Sequence, residues 1–488
     1  MKKLGSLSPA PVWEIFEMIC SIPHPSGHEA ALAEALAAAA RERGLAVRRD
    51  AAGNLRIDRA AAPGFESAPV VLLQAHLDMV PQTAPGVKFD FLTDPIPPEI
   101  RGEWVVSGAG TTLGSDNGIG VAAAVALLFD PAWRGGALAG VFTVSEEVGL
   151  NGALALSPEM LEGTYLLNLD SEEEGELYLG CAGGARLTLT FDVVFQPVSA
   201  GMTGVRCTVG GMAGGHSGCN IADRRGNAIR LLARLLERSP ELLVASFDGG
   251  TCDNAIPREA AVCGALPADG VEPFRTRAEA FAREAAGEFD APPEFRIEVE
   301  AAPLPERVWR EAFRDRVLGA LTGCPDGPTA FDSALDVVRT SSNLASVRSE
   351  GERLIVATSQ RSQIDAERAA LTEAIAQRFR AAGGAAGGAA AVSHAYPGWE
   401  PRLDSRLFST AASLYRELFG KRPEPKVIHA GLECGILSGI NPKLEILSFG
   451  PTLENPHSPG ERLDIASVGR FWRFLRELIS RLQSSLRP

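Results

Sequence analysis

Five residues of this 488-residue chain have the types and settings of metal ligands: His76 in VLLQAHLDMV, Asp116 in GSDNGIG, Glu147 in TVSEEVGLNGA, Asp170 in TYLLNLDSEEEGE and His457 in LENPHSPGERLDI. Two imidazoles and three carboxylates form a borderline-hard donor set for a divalent cation, zinc before any other. Each of the first four follows a run that reads as a buried strand: PVVLLQA, a short strand ahead of the Gly-rich loop, AGVFTV and TYLLNL. Ligands of open α/β sheets gather at the carboxyl ends of strands. The shared placement therefore predicts one composite site.

Glu146 and Glu147 are adjacent acids at one strand end, which suggests divided labour. One ligates metal, and its neighbour takes the proton from water. Asp78 stands two residues after His76, on the same side of a strand, where it can hold that histidine's other nitrogen and fix its tautomer. Asp116, in a glycine-flanked turn, can bridge two metals with its two oxygens.

In this order the segments AHLDMV, GSDNGIG, SEEVGLNGA, NLDSEEEGE and ENPHSPGERLDI resemble the co-catalytic zinc peptidase and deacylase family, above all its aminoacyl-histidine dipeptidase branch. IPHPSGHE, GGMAGGHSG and HAGLECGIL are further matches, so the resemblance spans nearly the whole chain. It implies an α/β, two-domain metallopeptidase: a mixed-sheet catalytic domain with an inserted, internally duplicated α/β lid. The implied activity is hydrolysis of dipeptides, preferentially Xaa-His including β-alanyl-histidine. An N-acyl amino acid deacylase using the same site is the alternative, and the HAGLECG segment and long insert favour the dipeptidase.

The implied cofactors are two divalent ions, Zn2+ with Co2+ or Mn2+ as substitutes. His76 and Asp170 would complete one shell, Glu147 and His457 the other, with Asp116 shared and Glu146 as the base. By the same resemblance His216, in GGMAGGHSGCN, stabilises the oxyanion. Asn254 and Arg361 hold the substrate, and Gly431 brings backbone close to it. Arg361 suits a terminal carboxylate because its fork donates two parallel hydrogen bonds.

Composition is that of a globular protein, 45% hydrophobic and 22% charged, and its length calls for more than one core. A net charge of −14 argues against nucleic acid and anionic membrane as partners; the resemblance implies a small dipeptide substrate and allows a homodimer. Eight scattered cysteines without a CxxC pair read as free thiols of a reducing compartment. With no leader-like apolar core near the start and no membrane-length span, the cytoplasm is the expected location. His24, His28 and His394 read as structural or solvent-facing, and His429 lies beside the site in HAGLECG. Glu172, Glu173 and Glu174 read as a solvated charge run. GAGTTLGSDNGIG lacks both GxGxxG and a GKS/T ending, which rules out a phosphate loop.

The elements that must carry these residues alternate between strand and helix to about residue 185, after helices over 9–21 and 28–44, with Ser26 as a cap for the second. Two comparable helix-and-strand series follow. RRGNAIRLLARLLER and ERVWREAFRDRVLGAL read as the helices that open them, and the Ala/Gly tract AAGGAAGGAA as a turn near the end. The expected division is 1–186 catalytic, 187–397 inserted and 398–488 catalytic again, since His457 has to rejoin His76.

Overall fold

The computed structural model describes residues 4–383 and 388–484. The chain divides into two compact units. One takes the chain up to Cys181, then Trp399–Val427 and the segment from Leu432; the other takes Ala182–Gly398 and Ile428–Gly431. The boundary expected at 186/187 falls inside a strand, Gly183–Asp192, which belongs wholly to the second unit.

The first unit is built on an eight-stranded mixed sheet. Its middle is parallel: Leu138–Thr143, Val71–His76, Tyr165–Asn168 and Glu445–Ser448 lie side by side. The first three are buried at every position. Parallel strands covered on both faces read as unbroken apolar runs, which is why these segments were legible without alternation. Helix Ser115–Phe129 is buried along nearly its whole length. Its small residues permit that. A Cβ on Gly120 would stand 2.6 Å from the Leu169 carbonyl oxygen, so only glycine lets the helix approach the backbone just before Asp170.

One side chain of the last described helix makes three hydrogen bonds to the first segment. In helix Ile465–Ser484, Gln483 accepts the Gly136 N–H at 2.8 Å and donates to the carbonyls of Pro69 and Ala137. A separate four-stranded antiparallel sheet runs Leu453–Glu454, Arg462–Asp464, Trp104–Ser107 and Pro98–Arg101.

Several expectations change here. The short strand ahead of the Gly-rich loop is Trp104–Ser107, in the small sheet, so Asp116 sits at a helix start rather than at a strand end of the main sheet. Ser26 does not cap the helix Ala30–Glu42, whose cap position is Glu29; Ser26 donates instead to Asp78. The first residues of ERVWREAF form the strand Arg307–Trp309, paired with Phe195–Pro197, before the helix Glu311–Thr322 begins. β-branched and aromatic residues at 308 and 309 favour that outcome. Strand Gly327–Asp332 was not anticipated. The helix Asp365–Gly383 and strand Ala389–Tyr396 flank the Ala/Gly tract, and the turn expected at 384–387 lies outside the described residues.

The second unit is a nine-stranded antiparallel sheet. It runs Arg296–Ala301, Met202–Gly210, Ala260–Pro267, Leu243–Gly249, Val337–Glu350, Arg353–Ser362, Gly183–Asp192 and Ala389–Tyr396, with Gly327–Asp332 paired beside Val337–Glu350. Read inward from each edge, the order is the same: fourth, first, third, second, with a helix after the first strand and after the third. The second set draws its first strand, Gly183–Asp192, from before the first set in the chain, so the sets are not simply consecutive.

Asn227 organises one helix of this unit. Its Oδ1 accepts from the N–H groups of Ile229 and Arg230, capping Ala228–Glu237, while Nδ2 donates to Asp326 Oδ1 and the Leu344 carbonyl at 3.0 Å each. Asn227→Ala should therefore destabilise the protein by about 2–4 kcal/mol, a lost cap plus buried partners left unpaired. Asn227→Asp should be no milder, because the retained cap brings a second carboxylate against Asp326. Urea denaturation checks both, and an alanine cost under about 0.5 kcal/mol would show that the network carries no stability.

Candidate metal centre

Three of the ligand candidates follow adjacent parallel strands. His76 ends its strand opposite Thr143; Glu146 and Glu147 follow Thr143, and Asp170 follows Asn168. A second tier of side chains ties these strand ends together. Gln74 Nε2 donates to Thr143 Oγ1 at 3.2 Å and to Glu433 Oε2 at 2.6 Å; Asn168 donates to Gln74 Oε1, and Thr143 to Glu433 Oε2 at 2.8 Å. Glu433 is 1% exposed, and burial pushes its carboxyl up to about 7.

Asp116 lies between the two histidines. His76 Nε2 is 3.0 Å from its Oδ1, and His457 Nε2 is 3.1 Å from its Oδ2. Each imidazole meets a second carboxylate as well. Asp170 Oδ1 is 3.3 Å from His76, and Glu147 Oε1 is 2.9 Å from His457. Ligand atoms of His76, Asp116 and Glu147 all lie within 4.8 Å of one another. The structure thus brings all five candidates together, in two sets that share Asp116.

Asp78 acts behind them. Its backbone carbonyl is 3.0 Å and its Oδ1 3.4 Å from His76 Nδ1. Its carboxylate accepts the N–H groups of Glu146 and Glu147 and the Ser26 hydroxyl. Burial alone would raise this carboxyl, but the hydrogen bonds and charge of His76 and the Glu146 N–H hold it down to about 2. Glu29 similarly accepts from both the N–H and the hydroxyl of Ser145.

The electrostatics call for positive charge. Burial, with Asp116 and Glu147 nearby, pushes Asp170 up to about 6 against the pull of His76. Burial among Asp170, Glu433 and Glu147 raises Glu146 well above the usual carboxylate range. Hydrogen bonds to Asp116 and Glu147 push His457 up to about 11. The ion pairs of the five candidates are with each other and Asp78; among the described residues none is with lysine or arginine. Two imidazoles and three mutually repelling carboxylates fit divalent cations.

Glu172 corrects an expectation. It is half-buried rather than solvated, and burial with the charges of Asp116 and Asp170 pushes it up to about 8. Of the run, Glu173 is exposed and Glu174 pairs with Arg470. His24 is buried, its Nδ1 2.6 Å from the Ile22 carbonyl oxygen, and His28 and His394 are exposed.

The remaining candidates belong to the second unit. His216 Nδ1 accepts from the N–H groups of Gly218 and Cys219, which fixes the neutral ring as the Nε2–H tautomer, a donor. Burial and the charge of Arg361 lower its pKa. Arg361 is 7% exposed; it donates to the Tyr396 hydroxyl at 3.0 Å, and among the described residues no carboxylate pairs with it. A Cβ on Gly431 would lie 2.9 Å from the Tyr396 ring, so glycine is what admits the tyrosine there. His429 Nε2 meets Ser341 Oγ at 2.7 Å, and burial with the Arg361 charge depresses it to about 4. Asn254 is exposed, in an open cleft of about 690 Å³ that His216 also lines, and its carbonyl accepts the Ser217 N–H.

Sequence reasoning missed Glu29, Glu433, Tyr396 and Ser341. Glu29 and Glu433 lie inside the quoted segments IPHPSGHE and HAGLECGIL, the signal that could have found them.

Over 487 residues the chain is 39% identical to the cytosol non-specific dipeptidase of Escherichia coli (strain K12), covering 99% of each. It is similar to the solved aminoacylhistidine dipeptidase from Vibrio alginolyticus, at 40% identity, 98% coverage of each chain and a TM-score of 0.90. The aminopeptidase PepT from Bacillus cereus shares the fold at 16% identity and a TM-score of 0.58, over 98% of this chain and 99% of that one. The model for "Peptidase family M20/M25/M40" matches residues 72–481, and the chain belongs to that family.

Proposed function

We propose that this chain is a cytoplasmic dipeptidase that holds two divalent cations, zinc first, and prefers Xaa-His substrates, β-alanyl-histidine among them. The observation that carries the reading is the shared carboxylate of Asp116. Each oxygen meets a different imidazole, and each imidazole has its own further carboxylate, Asp170 on one side and Glu147 on the other. The relatives that support it are those named a dipeptidase in Escherichia coli and an aminoacylhistidine dipeptidase in Vibrio alginolyticus.

Divalent cations, when bound, supply Lewis acidity to the peptide carbonyl and make water a better nucleophile near neutral pH. The rest is the work of side chains. Asp78, facing His76 Nδ1, favours the tautomer that leaves Nε2 free as a ligand. Glu146 completes neither set of ligands, and its backbone N–H is pinned by Asp78. It takes a proton from the water that attacks the peptide carbon and passes it to the leaving nitrogen as the C–N bond breaks. Carboxylates crowded around it favour its holding that proton in between. His216, fixed as an Nε2–H donor, suits an oxyanion. Arg361, buried without a carboxylate partner, suits the terminal carboxylate of the substrate.

The direct test is a panel of dipeptides and N-acyl amino acids offered to the zinc-loaded protein. Xaa-His dipeptides should be cleaved fastest, chelation should abolish turnover, and zinc, cobalt or manganese should restore it. Faster cleavage of N-acyl amino acids would assign a deacylase, and turnover that persists after verified metal removal would eliminate the mechanism.

Glu146→Gln should lower kcat by about 10²–10⁴ while metal content stays at the wild-type level. Elemental analysis showing a lost cation would make Glu146 a ligand instead. For Arg361, wild type and Arg361→Ala are each compared on a dipeptide and its C-terminal amide. Amidation should cost the wild type roughly 30-fold or more in kcat/KM, as expected for breaking a buried charged pair. The mutant should lose a similar factor on the free dipeptide and show a much smaller amidation penalty. Equal penalties in both proteins would show that Arg361 does not read the carboxylate.

A further inference from the structure

Glu461 is a buried acid, 3% exposed, that neither set of ligands uses. It ends the loop that carries His457, between the paired strands Leu453–Glu454 and Arg462–Asp464. Its side chain crosses to the turn that carries Asp116. Oε2 accepts the N–H groups of Leu113 at 2.7 Å and Gly114 at 3.2 Å. Oε1 accepts the N–H and the hydroxyl of Ser115 at 2.7 and 2.5 Å, and the Asp116 N–H at 3.4 Å. These donors lie in the turn that leads into the helix Ser115–Phe129, where Gly114 stands at φ +74° and the backbone of Asp116 and Asn117 is not yet helical. The Glu461 carboxylate is the side chain that satisfies the N–H groups of this turn.

The histidine loop needs such an anchor. His457 has a side chain 51% exposed and a backbone φ of +56°, and Asn455 has a φ of +55°. Its ring meets only Asp116 and Glu147 among the described residues. The loop's own bonds, Ser458 to Asn455 and Glu461 N–H to the Ser458 carbonyl, shape it without attaching it to the Asp116 turn. His76 differs. It is 1% exposed, held in a buried strand with Asp78 against its Nδ1.

We infer that Glu461 is a positioning residue that sets the spacing between Asp116 and His457, and thereby governs the affinity of the cation held by Asp116, Glu147 and His457. The inference rests on the two-cation reading above. Glu461→Gln preserves size, but its amide NH2 has to face backbone N–H groups, so part of the clamp is lost and the loop is free to drift from the turn.

The test is stepwise cobalt binding to metal-free protein, followed by calorimetry and by the cobalt visible absorption bands. In Glu461→Gln one of the two affinities should fall about 10–100-fold, the scale of lost support behind a metal ligand, while the other stays within about threefold. The weakened step should be the one missing from His457→Ala, and adding Glu461→Gln to that variant should leave its remaining affinity within about threefold. Ser115→Ala, which removes only the hydroxyl bond, should weaken the same step by less, and it serves should Glu461→Gln fail to fold. Unchanged stepwise affinities, or an equal fall in both, would overturn the inference. A wild type that binds fewer than two cobalt ions would instead overturn the two-cation reading.

Discussion

The constraint on which the first unit depends is the crowding of negative charge beyond three parallel strand ends. Asp116, Glu146, Glu147 and Asp170 stand around two imidazoles, with Glu172 and Glu433 close enough to be felt. Like charges at such range repel strongly when water is excluded. Among the described residues no lysine or arginine is set against that repulsion, and the raised carboxyls of Asp170, Glu146 and Glu172 register it. A site built this way attracts divalent cations, because positive charge relieves the repulsion of several groups at once.

Holding repelling groups in register requires a hydrogen-bonded scaffold behind them. Gln74, Thr143 and Asn168 occupy neighbouring strand ends and bond to one another through amide and hydroxyl groups, with the Glu433 carboxylate as the common acceptor. Asp78 serves the same purpose from the other side: its two oxygens receive the N–H groups of Glu146 and Glu147 while its carbonyl faces His76. A slip of one strand would break bonds in both networks. The fully buried parallel strands prevent that slip, since a one-residue shift would turn every apolar side chain to the wrong face.

What could be read in the sequence follows from this physics. His76, Glu147 and Asp170 were legible because each follows an apolar run, and the runs are apolar because parallel strands are covered on both faces. Asp116 was legible in a glycine-flanked turn after a short strand, but that strand pairs in another sheet than the three that carry its neighbours. The supports were not legible. Glu433 acts on residues 290 and 359 positions away, and no local pattern announces such a pairing. Glu172 looked like part of a solvated run because charge in sequence carries no direction; only the fold leaves Glu173 exposed while Glu172 and Glu174 are half-buried. The Arg307–Trp309 segment was absorbed into the following helix because its three residues are too few to show a period of two.

The second unit shows the opposite chemistry. Its notable groups are donors that lack an acceptor of matching charge: a buried Arg361 with a hydroxyl for company, and a His216 whose tautomer is fixed by two backbone N–H groups. Burial, with the Arg361 guanidinium nearby, lowers the pKa of His216 and depresses His429 to about 4. A neutral His216 keeps its single Nε2–H for whatever oxygen it meets, and a guanidinium without a carboxylate remains available for one that a ligand brings. Gly431 follows from the same economy of space, because any side chain there would displace Tyr396, the hydroxyl that orients the guanidinium. The first unit concentrates acceptors, and the second keeps these donors unspent.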